Sequence, residues 1–362
     1  MPELLPRPHT RGATGSRSQR VTVRLPAVAL STRISPRTVG AGIVAFALVM
    51  ATTVAALLLG EVELGPGGAL SALAGAEETP EAEAFVVRAL RLPRALAAVL
   101  VGGALAASGA IFQGLVRNPL VAPDVIGVNA GAGVLAVLTI VTAQAVVWLP
   151  VAALAGAVGT AFAIYGLTWR RGISGHRLVL VGIGVNAALT ALTTLLIVRF
   201  PVERVSSAVR WQTGTLHGTG WDEVALVGVG VAVLLPLGVW LTRQLGALEL
   251  GDDAARALGA RVEPARAGLL GVGAGLAAVA VAASGPIGFV ALATPHLARW
   301  LAGPLTRGVL VLSALLGGGL VGLSDLAAQH ALPTSLPVGV VTAAAGAPYF
   351  LLLLYRTNRA AL

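Results

Sequence analysis

Few residues in this 362-residue chain can do chemistry, and their spacing argues against catalysis. His296, in the run Pro295-His296-x-x-Arg299, has no second His and no carboxylate at ligand spacing, so a polar contact at a helix end accounts for it better than a metal does. The absence of Cys excludes disulfides, thiolate metal sites and cysteine nucleophiles. The absence of Lys excludes a phosphate-binding P-loop, so any work driven by ATP needs a partner ATPase. A membrane-embedded enzyme, such as a lipid-processing transferase, would need paired carboxylates, a His cluster or an activated nucleophile, and the candidates here are single and scattered. What remains is a set of charged and turn-forming residues at the ends of long apolar runs. Arg91 and Arg94 flank a proline, Asn118-Pro119 is followed by Asp124, and Asp252, Asp253 and Arg256 lie between Gly251 and Gly259.

The elements that must position these residues are membrane helices. Of the residues 56% are hydrophobic and 11% charged, and the mean hydropathy is +0.86, well outside soluble composition. An all-α polytopic membrane protein is expected. All 25 basic residues are Arg and they are spread along the chain, so the sequence pI of about 11.4 reflects membrane topology rather than nucleic-acid binding, which would gather them on one soluble face. Uncharged runs give ten candidate spans: 38–60, 92–115, 127–144, 146–169, 178–198, 223–242, 264–283, 286–302, 308–328 and 336–355. The run 286–302 is short for a full crossing. With the N-terminus in the cytoplasm, only Arg88, Arg91, Arg94, Arg199, Arg204 and Arg210 fall outside, so both termini are expected to be cytoplasmic. Residues 1–36 read as an Arg-rich cytoplasmic tail that buries too little apolar surface to fold, and residues 37–362 as one transmembrane domain. The run Val39 to Leu59 reads as a retained first span; a cleaved signal peptide, with small residues around Ala74 to Ala76, is the competing reading.

The stretch Arg91 to Gly133 organises the rest. An apolar helix begins around Arg91-Leu92-Pro93-Arg94 and runs uncharged to Arg117. Pro119 ends it, because proline takes helical preference away from the residue before it. A polar turn closed by Pro123-Asp124 leads into a second apolar segment from Gly127, and Asn118 and Asp124 read as caps and turn-formers at this broken corner. No carboxylate, His or Arg lies within 125–169, 178–198, 224–242, 267–295 or 331–354. Ion-coupled transporters place such groups at membrane depth, so a secondary transporter is disfavoured. The outer stretch 199–223, with Trp211 and Trp221, has room for a short interfacial helix, but neither it nor 61–83 is large enough to be a ligand-capturing domain. The inner loop 243–266 holds a short helix around Asp252 to Leu258, with acidic residues where the helix dipole favours them. It reads either as a solvated connector or as a helix that docks on a cytoplasmic motor.

Four runs carry a family resemblance: RLPRALAAVLVGGALAASGAIFQGLVRNPLVAPDVIGVNAGAG from Arg91, the LGDDAARALGA loop, SGPIGFVALATPHLARWLAG and LPVGVVTAAAGAPYFLLLL. Together they resemble the permease subunit of the iron-complex (FecCD-type) ABC importers, over nearly all of Arg91 to Leu354. The resemblance implies ten spanning helices in the type II ABC importer permease fold, working as a homo- or heterodimer in the bacterial cytoplasmic membrane. Two ATPase subunits carrying Mg-ATP would dock below and a substrate-binding protein above, with no cofactor on this chain. The implied cargo is a ferric siderophore, with haem or cobalamin as alternatives. On matching positions, Arg91 and Arg94 would meet carboxylates of the binding protein. Gly251, Asp252, Asp253, Arg256, Leu258 and Gly259 would form the segment coupled to the ATPase. Ile173, Ser174, Gly175 and His176 would lie at the cytoplasmic gate, and Asn118, Pro119 and Asp124 at the helix break near the passage. Two places depart from relatives. Gln329 stands where an Arg is common, a turn after Asp325, and Ser335 where a Glu is common, so an outer docking contact is in doubt. Gly102-Gly103, Gly131, Gly133 and Gly317 to Gly319 are expected to let helices pack closely without polar glue.

Overall fold

The computed structural model describes residues 21–25, 30–60, 62, 64–76, 80–142, 146–169, 175–249, 251–259, 261–331 and 333–359. Two strands, β1 (Val21–Leu25) and β2 (Leu30–Ile34), pair antiparallel, so part of the tail expected to stay unfolded forms a hairpin. Its sequence basis is the alternation of Val21, Val23 and Leu25 with Thr22 and Arg24. Two strands alone bury little and are marginal in water.

The other regular elements among the described residues are helical. Ten helices correspond to the ten expected spans: α1 (Pro36–Leu58), α4 (Leu92–Val116), α6 (Val128–Val141), α7 (Leu149–Thr168), α8 (Gly175–Arg199), α10 (Trp221–Glu249), α12 (Val262–Ser284), α13 (Val290–Ala302), α14 (Arg307–His330) and α15 (Val338–Arg359). Shorter pieces join them: α2 (Pro66–Ala74), α3 (Glu81–Phe85), α5 (Pro123–Ile126), α9 (Val202–Gln212) and α11 (Asp252–Ala257). Seven helical segments among the described residues are long and apolar enough to cross a membrane, and the apolar α6 and 338–352 are shorter. At 13 residues α13 rises only about 20 Å, in keeping with the short run seen in the sequence. The stretch 199–223 does hold a short helix, α9.

The bundle is built around α4, 19 of whose 25 residues are buried. Apolar all round, it has the sequence of a helix surrounded by protein. It packs on α14, α12, α10 and α13. Small residues set the distance. A Cβ at Gly102 would overlap the carbonyl of Gly317, and one at Gly109 the carbonyl of Ala291, so α4 lies backbone against backbone on α14 and α13. Gly131 of α6 and Gly156 of α7 meet in the same way. Large apolar side chains of α1, α7 and α8, including Val44, Phe162 and Val198, are exposed on the outside of the bundle, as lipid-facing residues are.

The expectation of packing without polar glue is corrected. Ser108 Oγ donates to Gly273 O of α12 at 2.7 Å, and the Gln113 amide donates to Leu292 O of α13 at 3.2 Å, both from buried side chains. In a medium without water a buried hydroxyl or amide has to find such partners. Three irregular segments also join one another. Thr215 N–H donates to Ser284 O at 2.8 Å and Gly339 N–H to Gly214 O at 3.0 Å, which ties the ends of α9, α12 and α14 to the starts of α10, α13 and α15. Gly285 turns the chain here at φ 68°, where a side chain would strike Trp211 O. Non-helical backbone survives in a membrane protein when other protein satisfies it in this way.

The packing separates two glycines that look alike in sequence. Gly109→Ala should destabilise the purified protein by about 1–3 kcal/mol, the usual cost of overpacking. Gly133→Ala, where an added Cβ meets nothing within 4 Å, should be neutral or stabilise by about 0.5–1 kcal/mol through helix propensity. Thermal unfolding in detergent checks this, and equal effects at the two positions would contradict it.

Candidate functional site

The arginines at the start of α4 are held, each for a reason that the local chain explains. Ahead of α4 the helix widens into a π turn over Val86–Arg91, with Leu92 N–H donating to Val87 O, because Pro93 disturbs the helical ladder. The turn places three guanidinium groups. Arg88 Nε donates to Ala72 O at 2.6 Å, near the end of α2. Arg91 donates to Leu57 O at 2.8 Å, capping a carbonyl that the last turn of α1 leaves unpaired, and to Val62 O at 2.6 Å in the chain beyond that helix. Arg94 meets Asp325 of α14 in a two-point contact, Nη2 to Oδ1 at 2.9 Å and Nε to Oδ2 at 3.0 Å. Gln329 Nε2 completes the carboxylate's set with a bond to Oδ2 at 2.8 Å. Asp325 is therefore the acceptor of an interhelical ion pair. Gln329 thus supplies a neutral donor beside the ion pair. Ser335 is exposed. Nearby, Arg204 Nη1 donates to Val141 O at 3.2 Å and so caps α6 from α9.

At the other end of α4 the broken corner has the expected turn chemistry. Arg117 closes the helix in the left-handed region at φ 57°. Asn118 N–H donates back to Gln113 O at 3.2 Å, and Asn118 Oδ1 accepts from Leu120 N–H at 2.9 Å across Pro119. Asp124 Oδ1 accepts from Val125 N–H at 3.1 Å in the first turn of α5, and burial pushes its carboxyl above the usual carboxylate range. Gly127, at φ 102°, lets the chain reverse into α6 close against Asn186 of α8. A cleft of about 530 Å³ opens beside the corner, lined by Gln113, Arg117, Asn118, His296, Arg299 and Trp300 among others. His296 stands edge-on to Tyr349 of α15, with ring centres 6.3 Å apart.

The inner loop is compact. At 29 residues α10 measures about 43 Å, longer than the hydrocarbon needs, and so carries the chain beyond the membrane. Gly251 (φ 105°) and Gly259 (φ 80°) bracket α11. Ala255 is buried in the core cluster that includes Leu245, Leu248 and Val262, while Leu258 is 68% exposed. Asp253 and Arg256 pair at 3.2 Å on the open face, a contact worth little in water. Asp252 begins the helix. Of the gate positions, Gly175 and His176 open α8, with Gly175 close to Val116 at the end of α4. Ile173 and Ser174 lie outside the described residues. Among the described residues no single pocket gathers these groups: they mark the start of α4, a corner at its end and the loop between α10 and α12. Sequence reasoning missed Ser108, Gln113 and the Arg94–Asp325 pair, since nothing local distinguishes them.

Comparison with known proteins places this arrangement. Residues 48–356 match the FecCD transport family. The chain is 41% identical over 330 residues to the achromobactin transport system permease of Dickeya dadantii (strain 3937), covering 90% of this chain and 94% of that one. It is 40% identical to the ferric enterobactin transport system permease of Escherichia coli (strain K12), over 83% of this chain and 91% of the relative. Its fold is similar to that of a solved metal-chelate type ABC transporter in an inward-facing conformation, with TM-score 0.79 and 29% identity, covering 87% and 98% of the two chains.

The ion pair gives a stability prediction. Asp325→Ala strands a largely buried guanidinium and should cost about 3 kcal/mol, the lower end for a buried pair because Arg94 reaches the surface. Replacing both partners with apolar residues, Arg94→Met with Asp325→Leu, should cost much less. Thermal unfolding of the single and double variants in detergent measures the coupling, and additive losses would show that the pair does not act as a unit.

Proposed function

Because the chain belongs to the FecCD transport family, we propose that it is the permease of a bacterial ABC importer that passes a ferric siderophore into the cytoplasm. The observation that carries this reading is the exposed inner loop at the end of an overlong helix: a short rigid α11 between two glycines in left-handed conformations, anchored by Ala255 and presenting Leu258. Such a knob suits a groove on a motor subunit, and the lack of Lys means that ATP must be hydrolysed on another chain. The achromobactin and ferric enterobactin relatives support a siderophore as cargo.

In this reading two ATPase subunits engage Gly251 to Gly259, a second permease completes the passage, and both termini lie in the cytoplasm. The outer face, with Arg91 and Arg94, receives the substrate-binding protein. Arg94 is committed to Asp325, so it positions that face, while Arg91 and its neighbours offer the charge. Closure of the motor on ATP rocks helices that small residues hold together, and the cargo moves along walls poor in charge. Gly175 and His176 stand at the inner gate, and Asn118, Pro119 and Asp124 form the corner beside the passage.

One co-expression experiment separates the two docking surfaces. Leu258→Asp should reduce the ATPase that copurifies with the permease at least tenfold. Arg91→Glu should keep the ATPase but lose most of the stimulation of ATP hydrolysis by the cognate binding protein. Retention of both properties in both variants would sink the assignment.

A further inference from the structure

The cleft between the inner end of α4 and α13 is built around one buried side chain. Gln113 is 1% exposed and is engaged on every side. Its backbone carbonyl accepts from the N–H groups of Arg117 and Asn118, its side-chain amide donates to Leu292 O, and its Oε1 accepts from the Arg299 guanidinium. One residue thus fixes both the αL turn that carries Arg117 and the position of Arg299. A non-glycine residue in that conformation is strained, and such strain clusters at ligand clamps and active sites. The cleft's described lining residues include Arg117, Arg299 and His296. A cavity of about 530 Å³ takes a small polar headgroup, and Trp300, 75% exposed at its edge, has the position of an interfacial anchor.

We propose that this cleft binds the phosphate of an anionic phospholipid headgroup from the leaflet that the C-terminal end of α4 reaches. Guanidinium groups match phosphate geometry through paired N–H donors. Basic pockets between membrane helices on the cytoplasmic side are where anionic headgroups are held. An exposed indole beside the pocket distinguishes a membrane lipid from free phosphate, because it offers the glycerol and acyl region an amphipathic wall. The lipid would brace α4 against α13 at the broken corner, next to the Asn118-Pro119 turn.

The test uses the assembled transporter, stripped of lipid in detergent. Native mass spectrometry and thermal unfolding are followed with added phosphatidylglycerol, phosphatidylcholine or inorganic phosphate. Phosphatidylglycerol should stay bound and raise the melting temperature, while phosphatidylcholine and millimolar phosphate should not. Arg117→Gln and Arg299→Gln should each weaken phosphatidylglycerol binding about tenfold, Arg117→Lys should restore much of it, and Arg243→Gln, an exposed arginine outside the cleft, should change nothing. Equal protection by phosphatidylcholine, or by free phosphate, would overturn the proposal whatever the variants do. So would wild-type affinity in folded Arg117→Gln and Arg299→Gln.

Discussion

The constraint on which the rest depends is the approach of the α4 backbone to the carbonyls of α14 and α13, at Gly102 against Gly317 and Gly109 against Ala291. In lipid no hydrophobic force draws helices together, so association rests on packing and on interhelical polar bonds. Glycine and alanine let α4 sit at the centre with almost no surface of its own, and Ser108 and Gln113 then reach carbonyls on α12 and α13. Everything with a possible role is attached to the two ends of this helix or to helices that pack on it.

The arginines follow from the same constraint. Helix ends leave unpaired carbonyls, and at the membrane boundary a long cationic side chain can satisfy them. Arg88, Arg91 and Arg204 do this for α2, α1 and α6, and Arg177 does it for α7, with Nη1 3.2 Å from Thr168 O. Arginine suits the work because its planar fork can reach several acceptors, as Arg91 does with Leu57, Leu58 and Val62. Among the described residues charge gathers toward the helix ends, and Arg94 with Asp325 joins α4 to α14. The span centres stay neutral, which suits a passage that moves cargo already selected elsewhere and takes its energy from another subunit.

Much of this was legible where residues carry local instructions. Pro93, Pro119 and Pro123 mark the ends of α4 and the corner, Gly251 and Gly259 bracket α11, and uncharged runs give the ten helices. The short α13 was visible as a short run. Tertiary pairings were not legible. Arg94 and Asp325 are 231 residues apart, and the sequence suggested a docking cation at Arg94 without its partner. Ser108 and Gln113 look like ordinary helix residues until their neighbours are known. The junction of the segments at Gly214, Ser284 and Gly339 depends on three distant turns meeting. The hairpin in the tail was hidden by composition, which weighed its arginines above the alternation of Val21, Val23 and Leu25.

The account stands or falls on where the energy enters. Uptake of a ferric siderophore into proteoliposomes holding the whole transporter, with its binding protein outside and ATP inside, is the direct measurement. Uptake should require ATP, persist when proton and sodium gradients are collapsed, and be absent when this chain is reconstituted alone. Uphill accumulation by the lone chain, driven by either gradient, would contradict the account.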